Sequence, residues 1–394
     1  MMAVDIDRAT LAASVRDALL RRNAVCDAFF QREAPRLARA CHAMSRRFLA
    51  GGRLLAFGQG AASTDAQHVA VEFVHPVIVG KRALPALDLS AAFAAQVAAL
   101  VRPDDMVLGF ALGGPDADVE RALELARARG ALTFALAGTA ADEAFDLPDA
   151  DPFVNQEVFE LLYHVLWETV HVFFEHREQG GDIGASAFLY PMLGSQTQPV
   201  EQVIADVQQS LLGKVAEVNH LRQLAAQQQS ATLADTAVAI AQRIARGGQL
   251  LIFGNGGSAT DANDMALDCV APPAGLRPIP AISLAAEPAV LSALANDIGA
   301  EVLFVRQLAA QCRPQDVAIG ISTSGGSANV LAALAEARRR GLLTVGLVGY
   351  SGGRMLDEAL VDHALVVDSQ YIPRIQEAQA SIYHVLRRTI DDVL

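Results

Sequence analysis

Short apolar runs alternate with longer amphipathic stretches along most of this chain. In its second half the runs lie at 250–253, 279–284, 317–321, 343–348 and 364–367. They are apolar at successive positions instead of every other one, the pattern of parallel strands buried on both faces. Alanine- and leucine-rich segments with helical spacing, such as 330–340, separate them. Strand–helix alternation of this kind predicts a doubly wound parallel sheet with helices on both faces, a three-layer α/β/α architecture of the Rossmann or flavodoxin type. Longer helical segments are expected near 7–48, 154–176, 199–246 and 374–393.

The pattern occurs twice. Gly51-Gly52-Arg53-Leu54-Leu55-Ala56-Phe57-Gly58-Gln59-Gly60 recurs as Gly247-Gly248-Gln249-Leu250-Leu251-Ile252-Phe253-Gly254-Asn255-Gly256. Each is followed by Thr-Asp-Ala, at Thr64-Asp65-Ala66 and Thr260-Asp261-Ala262. Near the end of each half, Asn155-Gln156-Glu157 with Tyr163-His164-Val165-Leu166 is echoed by Ile375-Gln376-Glu377 with Tyr383-His384-Val385-Leu386. Matched blocks in the same order imply duplicated domains. They are expected at 1–190 and 197–394, joined by a glycine- and glutamine-rich linker at 178–199.

Composition narrows the functional classes. With 394 residues, 52% of them hydrophobic, the chain can build two cores of ordinary size. A net charge of −13 argues against a nucleic acid or an anionic membrane surface as the main partner. It leaves room for a small phosphorylated ligand, which local dipoles can hold. The four cysteines, Cys26, Cys41, Cys269 and Cys312, form no CxxC pair, so zinc-ribbon and thioredoxin chemistry are not expected. Without a signal-like N-terminus or a long apolar span, a cytoplasmic protein is expected.

Candidate chemistry divides between the copies. In the second, Gly254-Asn255-Gly256-Gly257-Ser258 follows a strand and opens a helix, where glycines let backbone N–H groups approach an anion. Ser322-Thr323-Ser324-Gly325-Gly326-Ser327 ends another strand and opens another helix. A helix cap needs one hydroxyl; four of them on one turn suit phosphate oxygens. The first copy reads Gly60-Ala61-Ala62 and Ala111-Leu112-Gly113-Gly114-Pro115-Asp116 at these places, with a carboxylate that would repel phosphate. That copy has instead His68 and Glu72, four apart on one helix face, the spacing that chelates a metal or pairs a base with its partner. The second copy has Asp264 and Asp268 there, and both copies keep a Gln and a His eight residues apart on the final helix.

The Gly-Asn-Gly-Gly-Ser turn, the Ser-Thr-Ser-Gly-Gly-Ser-Ala-Asn-Val segment ending at Val330, and Arg374-Ile375-Gln376-Glu377 resemble phosphoheptose (sedoheptulose 7-phosphate) isomerases, a family of the sugar isomerase (SIS) fold group. The resemblance covers essentially all of the second copy and the first more loosely. It implies a phosphosugar aldose–ketose isomerase working through a cis-enediol, from sedoheptulose 7-phosphate to glycero-manno-heptose 7-phosphate. It implies phosphate and substrate contacts from Asn255, Gly256, Gly257, Ser258, Ser322, Thr323, Ser324, Ser327 and Gln376. It implies acid–base roles for Glu72 and His164, and a zinc held by His68, Glu72, His164 and Gln376 (or Gln156). The family is tetrameric, so a homodimer of two-domain chains would supply the same four domains.

Gln156 and His164 are separated by about 12 Å along one helix, so this set is expected to draw on both copies. Glu72 stands about 15 Å up the helix from its own turn, farther than the roughly 9 Å from C2 to phosphorus in a heptose phosphate. The productive site is therefore expected to combine the phosphate loops of the second copy with His68 and Glu72 of the first, at about one zinc per chain. A non-catalytic sugar-phosphate binder or scaffold is the alternative reading, and another SIS enzyme, an amino-sugar phosphate isomerase or lyase, is the third.

Overall fold

The computed structural model describes residues 7–78, 81–178 and 200–394. The expected linker falls almost wholly outside these residues. Two five-stranded, all-parallel sheets form the centres of two compact units.

The first sheet contains β1 (Leu54–Gly58), β2 (Ala86–Asp88), β3 (Met106–Phe110), β4 (Leu132–Leu136) and β5 (Glu143–Phe145), in the order β2-β1-β3-β4-β5. The helices around these strands in sequence are α1 (Arg8–Leu49), α2 (Ala62–Val74), α3 (Phe93–Leu100), α4 (Ala117–Ala128) and α5 (Pro152–Glu178). After α6 (Val200–Gln228) and α7 (Ser230–Ile244) come β6 (Leu250–Phe253), α8 (Gly257–Val270), β7 (Ala281–Ser283), α9 (Pro288–Asp297) and α10 (Leu303–Gln311). The chain ends with β8 (Val317–Ser322), α11 (Ala328–Arg339), β9 (Leu343–Gly349), α12 (Gly353–Asp357), β10 (His363–Val367) and α13 (Ile372–Val393). The second sheet runs β7-β6-β8-β9-β10, the first sheet's topology repeated. The order is that of flavodoxin-like sheets, with its switch point between the first and third strands.

The duplication extends to individual contacts. Leu54 pairs with both Ala86 and Met106, and Leu250 with both Ala281 and Val317. Asp105 accepts from the N–H groups of Arg53 and Arg102, each at 3.0 Å; Asp316 accepts from Gln249 at 3.1 Å and Arg313 at 2.8 Å. The amide of Thr133 donates to Asp142 at 3.0 Å and that of Thr344 to Asp362 at 2.9 Å. These bonds satisfy strand-end amides that would otherwise be buried unpaired. Each sheet is covered by its own apolar core, Leu55, Phe57, Val107 and Leu123 in one and Leu251, Phe253, Leu308 and Leu334 in the other.

The five strands of the second copy stand within two residues of their expected ends. One helical segment differs: the expected helix over 199–246 is two, α6 and α7, parted at Gln229. The side chain of Gln229 accepts from the N–H of Val366 at 2.7 Å, so the break is fixed by the edge of β10 and not by a glycine or proline. The compact units also divide the chain differently from the sequence halves. One holds Ala24–Glu217, with β1–β5, and the other joins the residues up to Asn23 to Val218–Leu394, with β6–β10. The 42-residue α1 is about 63 Å long, far beyond the roughly 24 Å width of five strands.

Candidate functional site

In the β6–β10 unit, both glycine- and hydroxyl-bearing turns sit at the carboxyl ends of β6 and β8, on either side of the switch point, where ligands of this fold class bind. Gly256 caps α8 at φ +57°, a conformation that disfavours side chains, and no side chain caps the helix. Its first amides are left to a ligand or to water. Asn255 and Asn329 exchange two amide hydrogen bonds of 2.8 Å, tying the β6 turn to the start of α11. Gly325 stands at φ +60°, and a Cβ there would lie 2.1 Å from the carbonyl oxygen of Gly352. Only glycine lets that turn close.

The fate of the cap position separates the two copies. Asp116 caps α4, its carboxylate accepting from the N–H groups of Asp118 at 2.8 Å and Val119 at 3.1 Å. Ser327 is the equivalent cap residue of α11, but its hydroxyl makes no cap bond and lies 3.2 Å from that of Ser322. Ser324 accepts from the N–H of Gly326 at 3.2 Å and is exposed. Ser258 and Ser322 are buried, and Thr323 is half-buried. The second unit thus presents hydroxyls that its cap residue leaves out of capping, with Asn329 taking the Val330 amide at 3.0 Å, while the first has filled its helix start with its own carboxylate.

In the β1–β5 unit, His68 and Glu72 lie buried on α2 and face α5. His164 Nε2 approaches His68 Nε2 to 3.3 Å, and Glu72 Oε1 is 3.9 Å from His68 Nε2. A second carboxylate, Glu160, joins them: one donor atom each from His68, Glu160 and His164 lies within 4.8 Å of the others, all three buried. Two imidazoles and a carboxylate at this spacing suit a small divalent ion such as zinc. Gln156, expected as an alternative ligand, is buried on α5 and reaches α2. Its amide donates to Asp65 at 3.1 Å and to Thr64 at 3.3 Å on the first turn of α2. Gln376 is buried on α13 of the other unit.

Glu160 was not among the expected residues, although the signal was present. Gln156, Glu160 and His164 follow one another at i, i+4 and i+8, one stripe of a helix. A comparison of the copies hides it, because the counterpart of Glu160 is Ala380.

The counterpart cluster of the second unit has a different composition. Asp264 and Asp268 of α8 face His384 of α13, whose Nε2 is 3.3 Å from Asp264 and 3.2 Å from Asp268. Tyr383 donates its hydroxyl to Asp264 at 2.7 Å. Burial, then the charge of Asp264, pushes the Asp268 carboxyl up to about 7, against the pull of His384 and Arg387.

Among the described residues no helix is long and apolar enough to cross a membrane. A family model for the SIS domain matches residues 215–349, a stretch that holds both hydroxyl-bearing turns. The phosphoheptose isomerase of Roseiflexus sp. is 45% identical over 168 residues, covering 41% of this chain and 84% of that protein. That of Pelobacter propionicus is 41% identical over 175 residues, covering 44% of this chain and 92% of that protein. These matches lie in the C-terminal region. The solved tagatose-6-phosphate ketose/aldose isomerase of Escherichia coli shares the fold over both copies, with a TM-score of 0.55, 14% identity, and 97% of this chain and 94% of that one covered.

Proposed function

The chain belongs to the phosphoheptose isomerase family, and from that premise we propose that it interconverts sedoheptulose 7-phosphate and glycero-manno-heptose 7-phosphate. That it is an aldose–ketose isomerase of phosphosugars follows from its relatives. The choice of substrate and the division of the work between the copies are our reading.

The observation that carries the reading is the contrast at the helix starts. Ser327 and Ser322 keep their hydroxyls free of capping duty, while Asp116 is spent on a cap. The substrate phosphate is assigned to Asn255, Gly256, Gly257, Ser258, Ser322, Thr323, Ser324 and Ser327. Amides at two helix starts would complement its charge without a lysine or arginine. The sugar end is assigned to the other kind of domain. Glu72, buried and carboxylate-bearing, accepts the proton from one carbon and returns it to its neighbour. The close approach of His164 to His68 favours a ligand role for His164, with His68 and Glu160 completing three donors. A zinc held there would polarise the carbonyl and stabilise the enediolate. Complementary losses support the joint site: the first copy lacks the hydroxyls, and the second lacks the His and Glu. A homodimer of such chains would supply four domains.

The direct test is incubation of the purified chain with sedoheptulose 7-phosphate, followed by NMR of the sugar carbons and exchange of the C1 or C2 proton with solvent. Conversion with solvent exchange is expected. Absence of conversion by zinc-loaded protein, while another ketose phosphate turns over, would replace the substrate; no turnover of any would overturn the reading.

A further inference from the structure

A pocket of about 800 Å³ opens in the first copy, at the carboxyl ends of β1 and β2 and against the start of α4. Sites for small organic ligands span roughly 300–1,000 Å³. None of the residues assigned above to phosphate, proton transfer or zinc lines this pocket. In the second copy a latch crosses the corresponding place, where Asn255 and Asn329 exchange two amide hydrogen bonds. The repeats put Gln59 where Asn255 stands, and Asp118 where Asn329 stands, two residues past the cap position. Gln59 and Asp118 are both exposed and line the pocket, and among the described residues no hydrogen bond joins them.

The pocket is unsuited to phosphate. The first three amides of α2, those of Ala62, Ser63 and Thr64, already donate to carbonyl oxygens of their own turn at 3.2, 3.0 and 2.9 Å. Asp116 has taken the amides at the start of α4. The lining residues include no lysine, arginine or histidine, but they include the carboxylates of Asp88 and Asp118. An anion would meet like charge there without donors to offset it.

What the pocket offers is acceptors. Asp88 stands at the register position of Ser283, so a carboxylate has replaced a hydroxyl beside the first strand. Its Oδ1 accepts from the N–H of Ser90 at 2.9 Å and from the hydroxyl of Ser90 at 2.5 Å. Its second oxygen makes no such bond, and among the described residues no cation pairs with Asp88. Ser63 spends its proton on the carbonyl of Gly60 at 2.7 Å, which leaves its lone pairs to accept. Residues 91–95 add an apolar wall of four alanines and Phe93. Hydroxyl donors on the rim of a sugar ring match the acceptors, and the C–H faces of the ring match the wall. An ammonium group matches the unpaired carboxylate, since a charge-assisted hydrogen bond is the strongest such a group can make.

We propose that this pocket is a second ligand site of the chain, for an unphosphorylated polyhydroxylated compound carrying an ammonium group, of which an amino sugar is the simple case. Asp88 holds the ammonium, and the apolar wall holds the ring. The site rests on neither the substrate nor the isomerase step.

The test is calorimetric titration of the full chain with glucosamine, galactosamine and mannosamine. At least one should bind, its uncharged parent hexose should bind at least tenfold more weakly, and inorganic phosphate should not displace it. Asp88→Asn keeps the size of the side chain and an acceptor for Ser90 but removes the charge, and should weaken binding at least tenfold. Ala94→Trp, at an exposed position of α3 that lines the pocket, should abolish it. The triple variant Ser322→Ala, Ser324→Ala, Ser327→Ala should bind the amino sugar as the wild type does, because its changes lie in the other copy. Circular dichroism shows whether each variant folds, and if Ala94→Trp does not, Asp88→Asn decides. Failure of all three amino sugars to bind the wild type, affinity unchanged by Asp88→Asn, binding lost in the triple variant, or displacement by phosphate would each overturn the proposal. Turnover enters none of these readouts, so this site and the isomerase reading fail independently.

Discussion

Asp116 and Ser327 occupy the same place in the two copies, and their side chains do opposite things. The carboxylate of Asp116 closes two amides at the start of α4. The hydroxyl of Ser327 makes no cap bond at the start of α11, where the side chain of Asn329 takes the Val330 amide. Asp116→Ala should therefore cost about 1 kcal/mol of stability, the usual worth of an N-cap. It should leave KM for the sugar phosphate unchanged. Denaturant unfolding and steady-state kinetics on one variant check both halves of that statement. A rise in KM without loss of stability would mean that the first copy's loop meets substrate.

At the scale of elements, the same pair of helices, one after the first strand and one closing the domain, builds a buried cluster in each unit. In the first, α2 supplies His68 and α5 supplies Glu160 and His164. Glu160→Gln keeps the size of the side chain and removes the charged donor. Zinc affinity should fall by roughly tenfold or more, since carboxylates bind zinc well and neutral amides poorly. Competition with a chromophoric chelator measures it, and unchanged affinity would remove Glu160 from the ligand set. The strands that place these helices were legible because buried parallel strands are apolar at every position. The hydroxyl-rich turn was legible because a cap needs one Ser or Thr and 322–327 offers four. Glu160 was not, because residues shared by both copies drew attention and this one is not shared. The break between α6 and α7 was hidden too, since it is held by the side chain of Gln229 bonding to Val366, far along the chain. The meeting of Asp264, Asp268 and His384 depends on how α13 packs on α8, which no local pattern encodes.

Across the whole molecule, the fold has been copied more faithfully than the chemistry. Strand order, register and the Asp105 and Asp316 braces are duplicated. The hydroxyl turn and the His-rich cluster each survive in one copy only. That pattern fits a chain in which stability is required of both copies and each half of the reaction of only one. The compact units were not legible from the repeats, because α1 and α6 are continuous helices whose turns are assigned to different units. The central claim is the division of labour, and it is tested most directly by measuring kcat and KM for sedoheptulose 7-phosphate on two variants side by side. Glu72→Gln removes the proton acceptor at nearly constant size and should lower kcat at least about 100-fold with little change in KM. The triple variant Ser322→Ala, Ser324→Ala, Ser327→Ala should raise KM at least about tenfold, since hydrogen bonds to a charged group are worth about 1.5–3 kcal/mol each. Wild-type turnover by Glu72→Gln, or an unchanged KM in the triple variant, would contradict the account.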